Sequence, residues 1–113
     1  MADCLFCKII NKEIPSEIVY EDDRLLAFRD INPAAPVHIL IIPKVHIASL
    51  NDLDETNSDI VKDIALKAKE LAEKEGIAES GYRIINNIGD DGGQTVKHLH
   101  FHLMGGEELG WPI

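Results

Sequence analysis

Apolar and polar positions along the chain fall into seven segments of distinct period. Cys4 to Asn11 reads as a short helix, closed by Asn11-Lys12 and by Pro15. Ile18-Val19-Tyr20-Glu21 reads as a strand, and Asp22-Asp23 as the turn after it. Leu25 to Asp30 is a second strand, which Asn32-Pro33 and Pro36 must end. His38-Ile39-Leu40-Ile41-Ile42 is a continuous apolar run stopped by Pro43, the pattern of a strand buried on both faces. One long helix is predicted between about Asp54 and Glu75, because Ile60, Ile64, Ala68, Leu71 and Ala72 fall on a single stripe. Gly76 stands where a left-handed residue would stop it. Tyr82 to Asn86 and His98 to Met104 are two further strands. Strands outnumber helices and their connections are short, so antiparallel pairing and an α+β class follow.

With 113 residues the chain is expected to form a single domain over 1–113. No apolar run reaches the roughly 18 residues of a membrane span. Met1-Ala2-Asp3-Cys4 carries no basic region followed by an apolar stretch, so a cytoplasmic chain is expected. Eleven basic against twenty acidic residues give a net charge of −9. Phosphate neutralisation over a broad surface needs clustered Lys and Arg, so neither nucleic acid nor an anionic membrane is an expected partner. A small nucleotide held by dipoles and a few donors stays open.

Candidate chemistry concentrates in His98-Leu99-His100-Phe101-His102-Leu103-Met104. Side chains alternate along a strand, so the three histidines share one face and Leu99, Phe101 and Leu103 the other. The apolar face suits the long helix, and the imidazole face suits a cleft. Successive histidines would lie roughly 7 Å apart, and His98 and His102 roughly 13 Å. One metal ion therefore does not take all three from a straight strand. Just upstream, Gly92-Gly93-Gln94-Thr95 offers backbone N–H groups, an amide and a hydroxyl, a turn that can hold an anion. It is no P-loop, since neither a Lys-Ser/Thr pair nor a helix follows. Imidazole is a good nucleophile toward phosphorus, and its neighbours can stabilise the pentacoordinate transition state. On the residues alone, Asp30 reads as a turn residue and His38 as either a satisfied core histidine or a catalytic one.

Cys4-Leu5-Phe6-Cys7 is a C-x-x-C with only three residues before it, which does not fit a thioredoxin-type βαβ motif. Two thiolates supply half of a tetrahedral zinc site and leave two ligands to be found. His46, just past a strand end, is unassigned, and His98 is the row member farthest from the phosphate. Free thiols are the alternative.

The row His-φ-His-φ-His-φ-φ after Gly-Gly-Gln-Thr resembles the histidine-triad nucleotide-binding family. Phe6 to Ile10, Glu13 to Ser16, Tyr20 to Asp22, Ala27 to Ile31 and His38 to His46 look like its further landmarks. The ending Gly105-Gly106 to Gly110-Trp111-Pro112 is similar to the Hint rather than the Fhit branch. The resemblance implies a homodimer, each subunit a five-stranded antiparallel sheet with one long and one short helix. It implies hydrolysis at the α-phosphate of a purine nucleotide such as AMP or GMP, with amine conjugates favoured. His100 would be the nucleophile, His102 a donor to a non-bridging oxygen, Thr95 the proton donor and His38 a support of the triad. Asp30 would accept the ribose hydroxyls, and Phe28, Ile31 and Ile10 would flank the base. Asn86, Gly93 and Gln94 would lie along the ribose and phosphate, and Trp111 would close over the partner's leaving-group pocket. Zinc-bearing relatives carry the C-x-x-C, so Cys4, Cys7, His46 and His98 become a structural zinc set, with no organic cofactor. Competing readings are hydrolysis of dinucleoside polyphosphates and a nucleotide-binding regulatory module of vestigial activity.

Overall fold

The computed structural model describes residues 3–111. Its five strands are β1 (Ile18–Glu21), β2 (Leu25–Arg29), β3 (Val37–Pro43), β4 (Tyr82–Asn86) and β5 (Phe101–Gly105). They form one antiparallel sheet in the order β1-β2-β3-β5-β4. Two helices pack on it, α1 (Leu5–Ile10) and α2 (Asp59–Lys74). The expected α+β architecture is the observed one.

The central strands β2 and β3 are buried on both sides, and alternation along them divides the core. Leu25, Ala27, Ile39 and Ile41 join Leu99 and Leu103 beneath Ile60, Ile64, Ala68, Leu71 and Ala72 of α2. Leu26, Phe28, Leu40 and Ile42 face the other way, onto Phe6 and Ile9 of α1. The predicted α2 stripe is thus the buried one. Each large side chain in it contributes about 1.5–3 kcal/mol on burial, whereas the exposed Lys69–Glu73 pair on the outer face contributes far less. Gly76, at φ 78°, ends the helix as expected.

Two element boundaries differ by more than one residue from the sequence expectation. The helix begins at Asp59 rather than Asp54, because Asp54 instead organises a turn. Its carboxylate accepts from the backbone N–H and hydroxyl of Thr56, while its own N–H donates to Asn57 Oδ1. A 3₁₀ turn at Leu50–Asp52, closed by a Ser49/Asp52 capping box, precedes it. The last strand begins at Phe101 rather than His98. Its partner β3 ends at Pro43, which has no N–H to extend the ladder. The Pro43 carbonyl takes the His98 ring instead, and the Asn86 side chain donates to the His100 carbonyl.

The glycine-rich segment is a self-satisfied turn. Gly93 N–H donates to Asp90, Gln94 N–H to Gly89, and Asn87 Nδ2 to the Gly92 carbonyl. Gly92 is required by close approach: a Cβ there would stand 2.2 Å from the Ile88 carbonyl oxygen. Gly92→Ala should therefore displace this turn, lowering stability by about 1–3 kcal/mol. Chemical denaturation checks this, and an unchanged midpoint would mean that the turn has slack the packing does not suggest.

Candidate active site

A cleft of about 570 Å³ opens between α1, the end of β2 and the segment from Thr95 to His102. Leu5, Phe6, Phe28, Ile31, Leu40 and Val96 give it apolar walls. Asp30, Thr95, His100 and His102 supply the polar groups at its lining, with Ser16, Glu17 and Arg29 near the mouth. Arg29 makes a bidentate pair with Glu75, the residue that follows α2, at 2.9 and 3.0 Å and a third bond to Glu17.

Four imidazoles meet beside this cleft, and their partners fix their tautomers. A neutral ring has one proton for two nitrogens, so a nitrogen facing a carbonyl must carry it. His100 Nδ1 lies 2.8 Å from the His98 carbonyl, so Nδ1 is the donor and Nε2 keeps its lone pair. The Ala34 N–H donates to His38 Nδ1 at 3.0 Å, which leaves the His38 proton on Nε2. That nitrogen donates to His102 Nδ1 at 2.9 Å, so the His102 proton sits on its Nε2. The result is a nucleophilic nitrogen on His100 and an N–H donor on its neighbour two residues on. Burial, first among the causes, pushes His38, His100 and His102 below the ordinary histidine value. His102 falls to about 4, with the charges of His100 and His38 adding to burial. All three rings are neutral at pH 7.

Asp30 follows β2; one carboxylate oxygen accepts from Asn32 N–H, and the other lies 3.5 Å from His38 Nε2. Asp30, His38 and His102 lie close enough to hold a cation, yet their facing atoms already form this chain of donors and acceptors.

A second constellation lies behind the first. Donor atoms of Cys4, Cys7, His46 and His98 all fall within 4.8 Å of one another. Cys4 Sγ and Cys7 Sγ stand 3.3 and 3.6 Å from His98 Nδ1, and Cys7 Sγ stands 3.3 Å from His46 Nδ1. A tetrahedral zinc ion with ordinary bond lengths separates its ligand atoms by about 3.3–3.8 Å. His98 Nε2 donates to the Pro43 carbonyl at 2.8 Å, which turns the lone pair of Nδ1 toward the thiols. The residues fit zinc, which would tie the two thiols at the start of α1 to His46 and His98.

Not every expected residue lies at the cleft. Ile10 packs on the core cluster around Phe28 rather than lining the opening. Gln94 is buried, with Nε2 donating to the Ala48 and Val96 carbonyls and Oε1 accepting from Gly89, so its amide is fully occupied. The Gly93 N–H is likewise taken within its turn. The Gln94 amide turns inward because a buried amide must find partners wherever they are nearest. Asn86 holds the His100 backbone, and His38 stands behind His102. Trp111 is 82% exposed, its ring 5.1 Å from the Arg83 guanidinium on β4; Pro112 and Ile113 lie outside the described residues. Sequence reading missed Leu5, Phe6 and Leu40, although Leu40 alternates with His38 along β3 and Phe6 lies three residues before Ile9 on one helix face.

The depressed histidines set a direction for stability against pH. An unfolded histidine titrates near 6.5, so on acidification from 6.5 toward 4 the unfolded chain takes up protons that the folded chain refuses. Stability is full above pH 6.5 and falls as the pH drops. Melting temperature should decline from pH 7 to pH 5, and less steeply in His102→Asn. Equal slopes in both proteins would show that His102 carries none of the effect.

Comparison with known proteins agrees with this geometry. The model of the HIT domain matches residues 11–109. The purine nucleoside phosphoramidase of Escherichia coli (strain K12) is 51% identical over 108 residues, covering 96% of this chain and 91% of that protein. A 14 kDa zinc-binding protein of Brassica juncea is 51% identical over 112 residues, covering 97% of this chain and 98% of its own. Among solved structures, a HIT family hydrolase from Clostridium thermocellum superposes with a TM-score of 0.96 at 56% identity, covering all of this chain and 98% of that one. A matched domain spanning most of the chain, and relatives alike from end to end, lead to one conclusion: the chain belongs to the HIT domain family.

Proposed function

We propose that this HIT-type hydrolase is a purine nucleotide phosphoramidase, cleaving the bond between an α-phosphate and an amine through a nucleotidyl-histidine. The observation that carries the reading is the fixed tautomer of His100, which turns an unprotonated Nε2 to a cleft of nucleotide size. Nε2 attacks phosphorus, a P–N bond to the ring forms, and the P–N bond to the amine breaks. The ring becomes an imidazolium whose Nδ1–H remains bonded to the His98 carbonyl. Thr95 passes its hydroxyl proton to the departing amine and recovers one from the water that attacks next. That second attack breaks the histidine–phosphorus bond and releases the nucleoside monophosphate. Throughout, the Nε2–H of His102 bonds a non-bridging oxygen, where charge builds in the transition state. Asp30, an acceptor without a proton of its own, suits the two ribose hydroxyls. Phe28, Ile31, Leu5 and Phe6 offer a purine an apolar slot without edge-specific donors, which fits AMP and GMP alike.

Zinc at Cys4, Cys7, His46 and His98 is a structural part of this reading, supported by donor spacing and by the zinc-binding relative. Thiolate ligands persist where thiols stay reduced, which favours the cytoplasm. A homodimer completes it. The outer edge of β4 has no partner strand among the described residues, with Tyr82 and Ile84 partly exposed along it, and the exposed Trp111 stands beside that strand.

Two measurements test the reading. Adenosine phosphoramidate turnover by His100→Ala should fall by roughly 10⁴-fold or more, while AMP binding persists. Retention of more than a tenth of the rate, or faster cleavage of a dinucleoside polyphosphate by the wild type, would reassign the chemistry. Truncation after Gly106 should change the ranking of amine leaving groups while leaving nucleotidylation of His100 intact. A proportional change across all amines would limit the tail to a stabilising role.

A further inference from the structure

The two histidine constellations are joined by the main chain of one residue. The ring of His98 is fully buried, pinned at Nε2 by the Pro43 carbonyl and turned at Nδ1 to the two thiols. Its own carbonyl is the acceptor that fixes the tautomer of His100, at 2.8 Å. Residues 98–100 precede β5 and so lack the ladder that holds the rest of that segment. Besides the Leu99 side chain in the α2 core, few hydrogen bonds hold them: Leu99 N–H to the Ile47 carbonyl, Asn86 Nδ2 to the His100 carbonyl, and the His98 ring.

The other half of the cluster belongs to α1. Cys4 is the residue that caps this helix, its sulfur accepting from Cys7 N–H at 3.3 Å. The next two residues, Leu5 and Phe6, line the cleft. The Phe6 ring stands edge-on to both His98 and His100, at 5.9 and 5.1 Å between centroids. Any cation bridging the thiols to His98 therefore ties the cleft wall and the acceptor of the His100 proton to a single point.

We infer that His98 is a positioning residue, through which a zinc ion on Cys4, Cys7, His46 and His98 aligns the His100 ring and the Phe6 wall against the nucleotide. The inference rests on the nucleophile assignment to His100, but its principal readout needs no substrate. Without the ion the cluster keeps only thiol–imidazole hydrogen bonds, which restrain residue 98 more loosely than four coordinate bonds.

The test compares zinc-loaded and chelator-stripped protein labelled with ¹⁵N-histidine. In the loaded form the His100 ring should give a single Nδ1–H tautomer by imidazole NMR. Stripping should broaden it or mix it with the Nε2–H form. AMP affinity should fall several-fold, and kcat on an adenosine phosphoramidate by about tenfold or more, as for other groups that orient a reacting residue. His46→Cys, which can complete a Cys₃His site, should recover zinc and the His100 signature together, whereas His46→Ala should recover neither. If stripping unfolds the chain, the comparison moves to zinc- against cadmium-loaded protein, whose longer metal–sulfur bonds should shift the His100 Nδ1–H resonance. A protein that takes up no zinc overturns the inference. So does one whose His100 resonance and AMP affinity are indifferent to the metal while its melting temperature moves. A tautomer that follows the metal in a protein with no phosphoramidase activity would count against the proposed reaction and leave this coupling standing.

Discussion

A neutral imidazole has one proton to divide between two nitrogens, and the architecture of this protein is organised around where those protons go. Each of His38, His98, His100 and His102 has one ring nitrogen committed to a fixed partner. In three cases that partner is a backbone group, so the decision is built into the chain trace rather than left to mobile side chains. The opposite nitrogen is then predetermined: a lone pair toward the thiols on His98, a lone pair toward the cleft on His100, a donor on His102. Burial keeps these rings neutral, since charging any of them would leave a cation in a poorly solvated site. Identical side chains in one short row thus acquire different chemistry from their second nitrogens.

The sheet makes that arrangement possible by being covered unequally on its two faces. The α2 side is an aliphatic core, closed by Ile60, Ile64 and Leu71. The α1 side is only partly filled, by Phe6 and Ile9 against Phe28 and Leu40. A six-residue helix cannot cover a five-stranded sheet, and the uncovered remainder is the cleft. Because short isolated helices are marginal, α1 depends on tertiary contacts and on the thiol-bearing turn that begins it. The wall of the site and its anchor are consequently the same element.

Much of this was legible in the chain. The α2 stripe, the doubly buried β3 and the alternation from His98 to Leu103 are periodic signals, and each survives in the fold because apolar faces decide packing. The alternation even outlasts the strand: Leu99 points to the α2 core although the ladder does not begin until Phe101. What periodicity could not convey was the local competition for hydrogen bonds. Asp54 captured a turn and displaced the helix start, and Gln94 turned inward to three backbone groups. A bare Gly-Gly-Gln-Thr looks like a cradle for an anion. Only the positions of the Gly89, Asp90 and Ala48 backbones reveal that its donors and acceptors are engaged within the fold. The grouping of Cys4, Cys7, His46 and His98 likewise depends on residues far apart in sequence, which spacing alone does not join.

The ion-pair arrangement of Arg29 shapes traffic through the cleft. Arg29 is the cleft's one lysine or arginine among the described residues, and it is already matched by Glu75 and Glu17. With Asp30 also present, the opening carries an excess of negative charge in a chain of net charge −9. Anionic ligands are therefore met by neutral N–H and O–H donors, and their arrival gains no long-range electrostatic steering. The asymmetry matters on exit. A nucleotide phosphoramidate carries about one negative charge on phosphorus, whereas the monophosphate left after hydrolysis carries about 1.5 to 2 at neutral pH. Repulsion from the rim therefore weighs more heavily on the product than on the substrate, so the mouth of the cleft favours emptying it after each cycle.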